Sequence, residues 1–211
     1  SILDQTLANF EFVIVDDGSQ DDTAEIVASF DDARIRYIRL AQNAGEPVAR
    51  NIGIRAARGA YMAVMDSDDA AEPERLRLQR DFMERNPDVH ILGSHVIKLV
   101  GEREKRMRYP ASDGVIKARL LQVSGSSMIH PSSFVRMDFG RAHGLSYPNT
   151  PTDSDDGFWL EATLAGARFS ICPDFLIRYY RHAGNATSER SDGHAAHLRR
   201  KTGIREHVLS H

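Results

Sequence analysis

Four polar residues, Asp66-Ser67-Asp68-Asp69, directly follow the apolar run Tyr61-Met62-Ala63-Val64-Met65. Carboxylates packed this closely repel one another and raise each other's pKa. A divalent cation relieves the crowding, because hard ions such as Mg²⁺ take one or two carboxylates together with substrate phosphates. The C-terminal end of a strand is also where open α/β sheets hold their ligands. A single Asp here would serve as well in a solvated loop that caps a helix, since Pro73 suits a first helical position. Three carboxylates favour a metal and phosphate site, with Asp68 as direct ligand and Asp66 facing ribose or metal.

Four other groups have the residue types for nucleotide or transfer chemistry. Val15-Asp16-Asp17-Gly18-Ser19 ends an apolar run, and carboxylates there can accept hydrogen bonds from a base or ribose or form an Asx turn. Asn43-Ala44-Gly45 leads into Pro47 and then Arg50, Asn51 and Gly53. Pro47 sets a helix start, so Arg50 and Asn51 fall in its first turns. Free N–H groups and an Arg fork bind phosphate in such a place, although an ordinary amphipathic helix has the same pattern. Asp153-Ser154-Asp155-Asp156-Gly157-Phe158-Trp159 puts acids in a first helical turn, where they complement the macrodipole or supply a general base. Arg178-Tyr179-Tyr180-Arg181-His182 brings two guanidinium groups and an imidazole to a strand end, which suits a diphosphate or a metal.

The elements that must hold these groups alternate. Phe10–Val15, Ile35–Leu40 and Tyr61–Met65 read as strands from their β-branched and aromatic content. Helices from Asp22 to Phe30, Pro47 to Ala57 and Pro73 to Arg85 lie after them. This βα alternation predicts a parallel sheet. Beyond it, His90–Val100 reads as a long strand, Ser112–Gln122 as a helix and Ser132–Met137 as a strand. Asp155–Ala165 is a helix, Arg168–Ile171 and Phe175–Tyr180 are strands, and Asp192–Leu209 is a polar helix. The 211 residues favour one domain. The pattern divides into residues 1–100, residues 101–190 and a terminal helix over 191–211.

The formal charge of −3, with acids and bases interspersed, argues against a nucleic-acid partner, which favours a basic face. No apolar run approaches the roughly 20 residues needed to cross a bilayer. The lone Cys172 excludes an internal disulfide and fits a reducing compartment. The expected location is the cytoplasm, free or peripheral at the inner face of the membrane.

Together, Val15-Asp-Asp-Gly-Ser19, Asn43-x-Gly45, Ala49-Arg-Asn-x-Gly53 and Asp66-Ser-Asp-Asp69 occur in an order and spacing that resemble the family 2 glycosyltransferases with the GT-A fold. His130-Pro131-Ser132, Asp155–Trp159 and Arg178-x-x-x-His182 extend the resemblance over nearly the whole chain. It implies an α/β GT-A fold with one Rossmann-like, mixed, mostly parallel sheet flanked by helices. It also implies a metal-dependent inverting transfer of a sugar from a nucleotide-diphospho-sugar donor, with UDP as the first choice, to the hydroxyl of a glycan, lipid or protein acceptor.

The implied roles fall on named residues. Asp16, Asp17, Arg50, Asn51 and Asp66 face the nucleotide. Asp68, Asp66 and His182 hold Mn²⁺ or Mg²⁺, and Arg178, Arg181 and His182 face the diphosphate. Asp155 is the catalytic base, with Asp156 as its rival. The usual family pattern is Glu-Asp-x-Asp ahead of a Leu-Trp pair. Aligned on Trp159, it places Ser154 at the Glu and Gly157 at the second Asp. Those departures give weight to a non-catalytic nucleotide-sugar or glycan-binding module. A metal-dependent phosphohydrolase with Asp66 as nucleophile and Asp68 as acid is a further alternative. The resemblance also implies a strand between those ending at Val15 and Met65, and Ser1–Thr6 reads as the end of a helix that follows it. A strand plus helix unit of roughly 30 residues upstream is therefore expected, and without it the chain should be poorly stable.

Overall fold

The computed structural model describes residues 1–121, 127–149 and 154–181. The first half alternates as its sequence requires. Strand β1 (Phe12–Asp16), helix α1 (Thr23–Ala28), strand β2 (Ile35–Arg39) and helix α2 (Glu46–Ala56) come in order. Strands β1 and β2 pair in parallel, from Phe12 opposite Ile35 to Asp16 opposite Arg39. Both strands therefore deliver their C-terminal ends to one edge.

The rest forms a six-stranded sheet. In chain order its parts are β3 (Tyr61–Ala63), β4 (Ala70–Ala71), α3 (Arg75–Arg85), β5 (Ile91–Val100), β6 (Arg103–Met107), α4 (Asp113–Leu121), β7 (Phe134–Arg136), α5 (Met137–Ala142), α6 (Ser154–Leu164) and β8 (Phe169–Arg181). Across the sheet the order is β3-β7-β5-β8-β4, with β6 pairing the outer part of β5. Strands β5 and β8 are parallel, and β3 runs with them because β7 opposes both β3 and β5. The result is the α/β mixed sheet expected from the sequence.

Strand β5 is central because residues 91–97 are buried throughout, the mark of a strand covered on both faces. One face packs Ile91, Val96, Phe169 and Ile177 with Trp159 and Leu160 of α6. The other packs Leu92, Phe134 and Leu176 with Leu76 and Met83 of α3. Neighbouring residues of one strand thus serve opposite layers.

Several boundaries differ from the sequence reading. The two late strands are one, because β8 continues through exposed Pro173 with register shifts at Ser94, His95 and Val96 of its partner. A bulge lets a strand tolerate a proline that has no N–H to donate. The expected strand Ser132–Met137 splits into a 3₁₀ turn, His130–Ser132, then β7 and α5. Strands β4 and β6 and helix α5 were not anticipated. Ser1–Thr6 is not helical. It is held instead by Gln5, which donates to the Glu72 carbonyl at 2.8 Å and accepts from the Leu76 amide at 3.0 Å. The expected helix Asp192–Leu209 lies outside the described residues.

Strands β1 and β3 do not pair with each other. A cavity of 1760 Å³ separates them, lined by Phe12, Val13 and Val15 on one side and by residues 61–65 on the other. Among the described residues no strand occupies that space, and no helix is long and apolar enough to cross a membrane.

Candidate active site

The same cavity continues to the polar ends of these strands, where Asp17, Arg50, Asp66, Asp68, His130, Asp155 and Asp156 all line it. The acidic turn is fixed at both ends. Strand β3 leads into it, and β4 leaves it to pair antiparallel with β8, Ala70 opposite Arg178. Asp66, Asp68 and Asp69 each offer an oxygen within 4.8 Å of the others. Asp66 Oδ1 accepts from Arg50 Nη2 at 3.2 Å and lies 3.9 Å from His130 Nδ1. Burial opposes its ionisation, but His130 and Arg50 outweigh burial and hold its pKa below the ordinary carboxylate value.

Asp69 is the opposite case. Its Oδ1 accepts from the Tyr180 amide at 3.0 Å, while its Oδ2 is buried with no partner. Burial, reinforced by the charges of Asp66 and Asp68, pushes its pKa up to about 7. A buried acceptor without a donor, beside two further carboxylates, fits a cation. The donor set suits Mg²⁺ or Mn²⁺, which take oxygen ligands.

Beneath the turn lies a residue that the sequence reading passed over. Arg75, at the start of α3, is fully buried. Its guanidinium donates to the Val64 carbonyl at 2.7 Å, the Pro131 carbonyl at 2.7 Å and Gln79 Oε1 at 3.0 Å. Gln79 in turn donates to the Ser132 carbonyl at 2.8 Å. The pair ties the strand that carries the acidic turn to the 3₁₀ turn that carries His130. Burial lowers the Arg75 pKa to about 10, with Asp66 and Asp69 opposing the drop.

The two acids at the end of β1 part company because strand residues alternate. Asp16 is buried, accepts from the Ser19 amide at 2.7 Å and from the Tyr37 hydroxyl, and lies 3.5 Å from Arg39 Nε. These partners, led by Tyr37, bring its pKa down to about 2. Asp16 therefore organises the turn and does not line the cavity. Asp17 does line it. Its carboxylate accepts from the amides of Ala44 and Gly45 at 2.7 and 2.9 Å, which fixes the loop before α2.

On α2 the neighbouring candidates also separate. Arg50 reaches Asp66, pairs with Glu46 and stands 3.4 Å from Ser154 Oγ, joining α2, the acidic turn and α6. Asn51 faces away from the cavity. It donates to the Tyr147 carbonyl at 2.8 Å and accepts from the Tyr147 amide at 2.7 Å. This clamp positions Tyr147, whose hydroxyl meets His130 Nε2 at 2.8 Å.

Asp155 and Asp156 lie in the first turn of α6, half-buried, with buried Phe158, Trp159 and Leu160 anchoring the helix behind them. Trp159 packs on the His130 ring at 5.9 Å between centroids. Among the late residues, Arg178 points away and donates to Glu72 Oε1 at 2.7 Å. Arg181 is exposed at the end of β8 and does not line the cavity. Tyr179 between them does line it. His182 lies outside the described residues.

The profile of glycosyl transferase family 2 matches residues 1–143. The chain belongs to that family. A succinoglycan biosynthesis protein, ExoO, of Rhizobium meliloti is 51% identical over 88% of this chain and 56% of its own length. An uncharacterised glycosyltransferase of Methanocaldococcus jannaschii is 32% identical over 85% of this chain and 63% of its own. The chain thus spans less than two thirds of these relatives. A crystal structure of S. aureus TarS residues 1–349 with UDP-GlcNAc superposes with a TM-score of 0.71 at 21% identity, covering 89% of this chain and 54% of that one. This likeness establishes the shared GT-A fold.

Membership gives the departures of this family 2 chain a physical setting. At Gly157, where the expected pattern has a second Asp, an added Cβ would fall 2.4 Å from Pro148 Cγ. The position is a contact surface with no room for a side chain. Ser154, at the expected Glu, is buried against Arg50. The acids of this turn that line the cavity are Asp155 and Asp156.

Proposed function

We propose that this domain transfers a sugar from a nucleotide-diphospho-sugar to an acceptor hydroxyl, with inversion at the anomeric carbon. One observation carries the reading. The acidic turn and the Asp155-Asp156 helix start line one cavity, so a leaving-group site and a base share a single chamber. A divalent cation at Asp66, Asp68 and Asp69 would act there as a Lewis acid on the departing diphosphate.

The residues of the chain supply the rest. Asp17 and the 43–45 loop form the wall beside the base and ribose. Arg50 fixes Asp66 and adds positive charge beside the phosphates. Asp155 takes the proton of the acceptor hydroxyl as its oxygen bonds to the anomeric carbon. The bond from that carbon to the phosphate oxygen breaks, and the nucleotide diphosphate leaves with the electron pair. Trp159 and the buried face of α6 keep Asp155 in position.

A uridine nucleotide is the proposed donor base. Two S. aureus TarS structures hold UDP-GlcNAc and UDP, which supports that choice. The reading is tested first by thermal shift with nucleoside diphosphates, with and without Mn²⁺, because ligands of the folded state raise its stability. Asp155→Asn should then lower transfer by about 10²–10⁴-fold with donor affinity nearly unchanged. A product that retains the donor's anomeric configuration would exclude the single displacement.

The absence of acids at Ser154 and Gly157 favours one alternative, a non-catalytic nucleotide-sugar-binding module. Tight donor binding with no turnover over a broad acceptor panel would support it.

A further inference from the structure

The outer parts of β5, β6 and β8 build a basic face. Lys98 stands opposite Lys105 on β6 and Tyr179 on β8, and Val100 stands opposite Arg103 and Arg181. Cross-strand partners and residues two apart share a face. Lys98, Arg103, Lys105 and Arg181 therefore lie together, and like charges placed so close destabilise a sheet. Burial, then Arg181 and Lys105, push the Lys98 pKa down. No carboxylate among the described residues pairs with any of the four. The nearby ion pair, Glu104 with Arg106 at 3.8 Å, belongs to the opposite face.

The four cations occupy two residue steps along the strands and three strands across, about 7 by 10 Å from strand spacings. That is the scale of one small, highly charged anion and not of an extended plane. Their cost to the sheet, with no acid among the described residues to offset it, points to an anion that comes from outside. The patch adjoins the active cavity, because Tyr179, the cross-strand partner of Lys98, lines the same chamber as Asp155.

We propose that this face binds an acceptor that carries a diphosphate group, gripping the diphosphate with Lys98, Arg103, Lys105 and Arg181 while the acceptor hydroxyl reaches Asp155. The inference rests on the transferase reading for its hydroxyl and stands apart from it in its test. Charge-assisted contacts of Lys and Arg to phosphate are among the stronger hydrogen bonds. The exposed Glu102 at the hairpin tip works against docking on an anionic membrane plane.

The test is calorimetric titration of the full chain with inorganic pyrophosphate in EDTA, beside a separate titration with UDP and Mn²⁺. Pyrophosphate should bind, and the double variant Lys98→Gln/Lys105→Gln should bind it at least tenfold more weakly. UDP binding should stay within twofold of the original protein, which also certifies the fold. Arg103→Glu, on an exposed side chain, should weaken pyrophosphate by a similar factor. Equal pyrophosphate affinity in the variants overturns the proposal. So does binding to phosphatidylglycerol vesicles that depends on Lys98 and Lys105 and is not competed by pyrophosphate. Failure of the transferase reading would show separately, as lost UDP binding with pyrophosphate binding intact.

Discussion

Arg75→Met is the most informative single perturbation of this site. The change keeps an apolar stem of similar length and removes the guanidinium fork. It leaves the carbonyls of Val64 and Pro131 and the amide oxygen of Gln79 without a donor. Buried acceptors left unsatisfied cost about 1–3 kcal/mol each, so the gross loss is on the order of 3–9 kcal/mol. Against this stands relief from burying a charge. Burial lowers the Arg75 pKa from its ordinary value to about 10, equivalent to about 3 kcal/mol of net penalty on the charged form. The difference centres on about 3 kcal/mol of lost stability.

Urea unfolding at pH 7.5 measures it as a lower midpoint at unchanged slope. Arg75→Lys sharpens the comparison. It keeps the buried charge but replaces a planar fork with a point donor, so it should lose at least as much stability as Arg75→Met. A Met variant within 1 kcal/mol of the parent, or a Lys variant that restores most of the loss, would refute the view that the fork matters more than the charge.

Gly157→Ala should destabilise by about 1–3 kcal/mol, the usual cost of overpacking, because its methyl would meet Pro148 at 2.4 Å; urea unfolding checks it. Asp16 has a folded pKa of about 2 against 3.8 for the free group, so its stabilising effect is complete above pH 4 and disappears as pH falls towards 2. Asp16→Asn should flatten the acid limb of a stability profile over that window, and an unchanged limb would count against the assignment. Asp68→Ala should abolish the Mn²⁺-dependent part of nucleotide binding, read as a thermal shift that no longer responds to metal.

The polar ends of the strands were legible because their residue types have few other uses. Phe12 to Val15 can hardly be anything but a strand, although it is only half-buried beside the cavity, and three acids packed into residues 66–69 at a strand end need a countercharge. What the sequence could not reveal was which member of a pair does which work. Asp16 and Asp17 are adjacent and chemically identical, yet strand alternation turns one to Tyr37 and Ser19 and the other to the cavity. Arg50 and Asn51 separate in the same way, about 100° apart on a helix. Strand β4 was too short to read, and the charged run of β6 resembles a solvated loop until β5 extends far enough to pair it.

Arg75 was hidden for a different reason. Arginine is almost never fully buried unless paired, so a helix with apolar Leu76, Leu78, Phe82 and Met83 seems to put its arginines in water. The buried set is in fact Arg75, Leu76, Gln79 and Met83, which follows i, i+1, i+4, i+8 with polar residues at two of the four places. Periodicity alone had the signal, because Arg75, Gln79 and Met83 are spaced by four. A hydropathy filter discards it. The reason the helix tolerates them lies in the carbonyls they face. Val64 follows the end of β3, and Pro131 and Ser132 form the 3₁₀ turn ahead of β7, where no ladder satisfies their oxygens. A site built on strand ends creates such orphan acceptors, and a polar pair at i, i+4 on the supporting helix satisfies them. Among related chains, the polar spacing of four in this helix should therefore persist wherever the acidic turn does, independently of the sugar transferred.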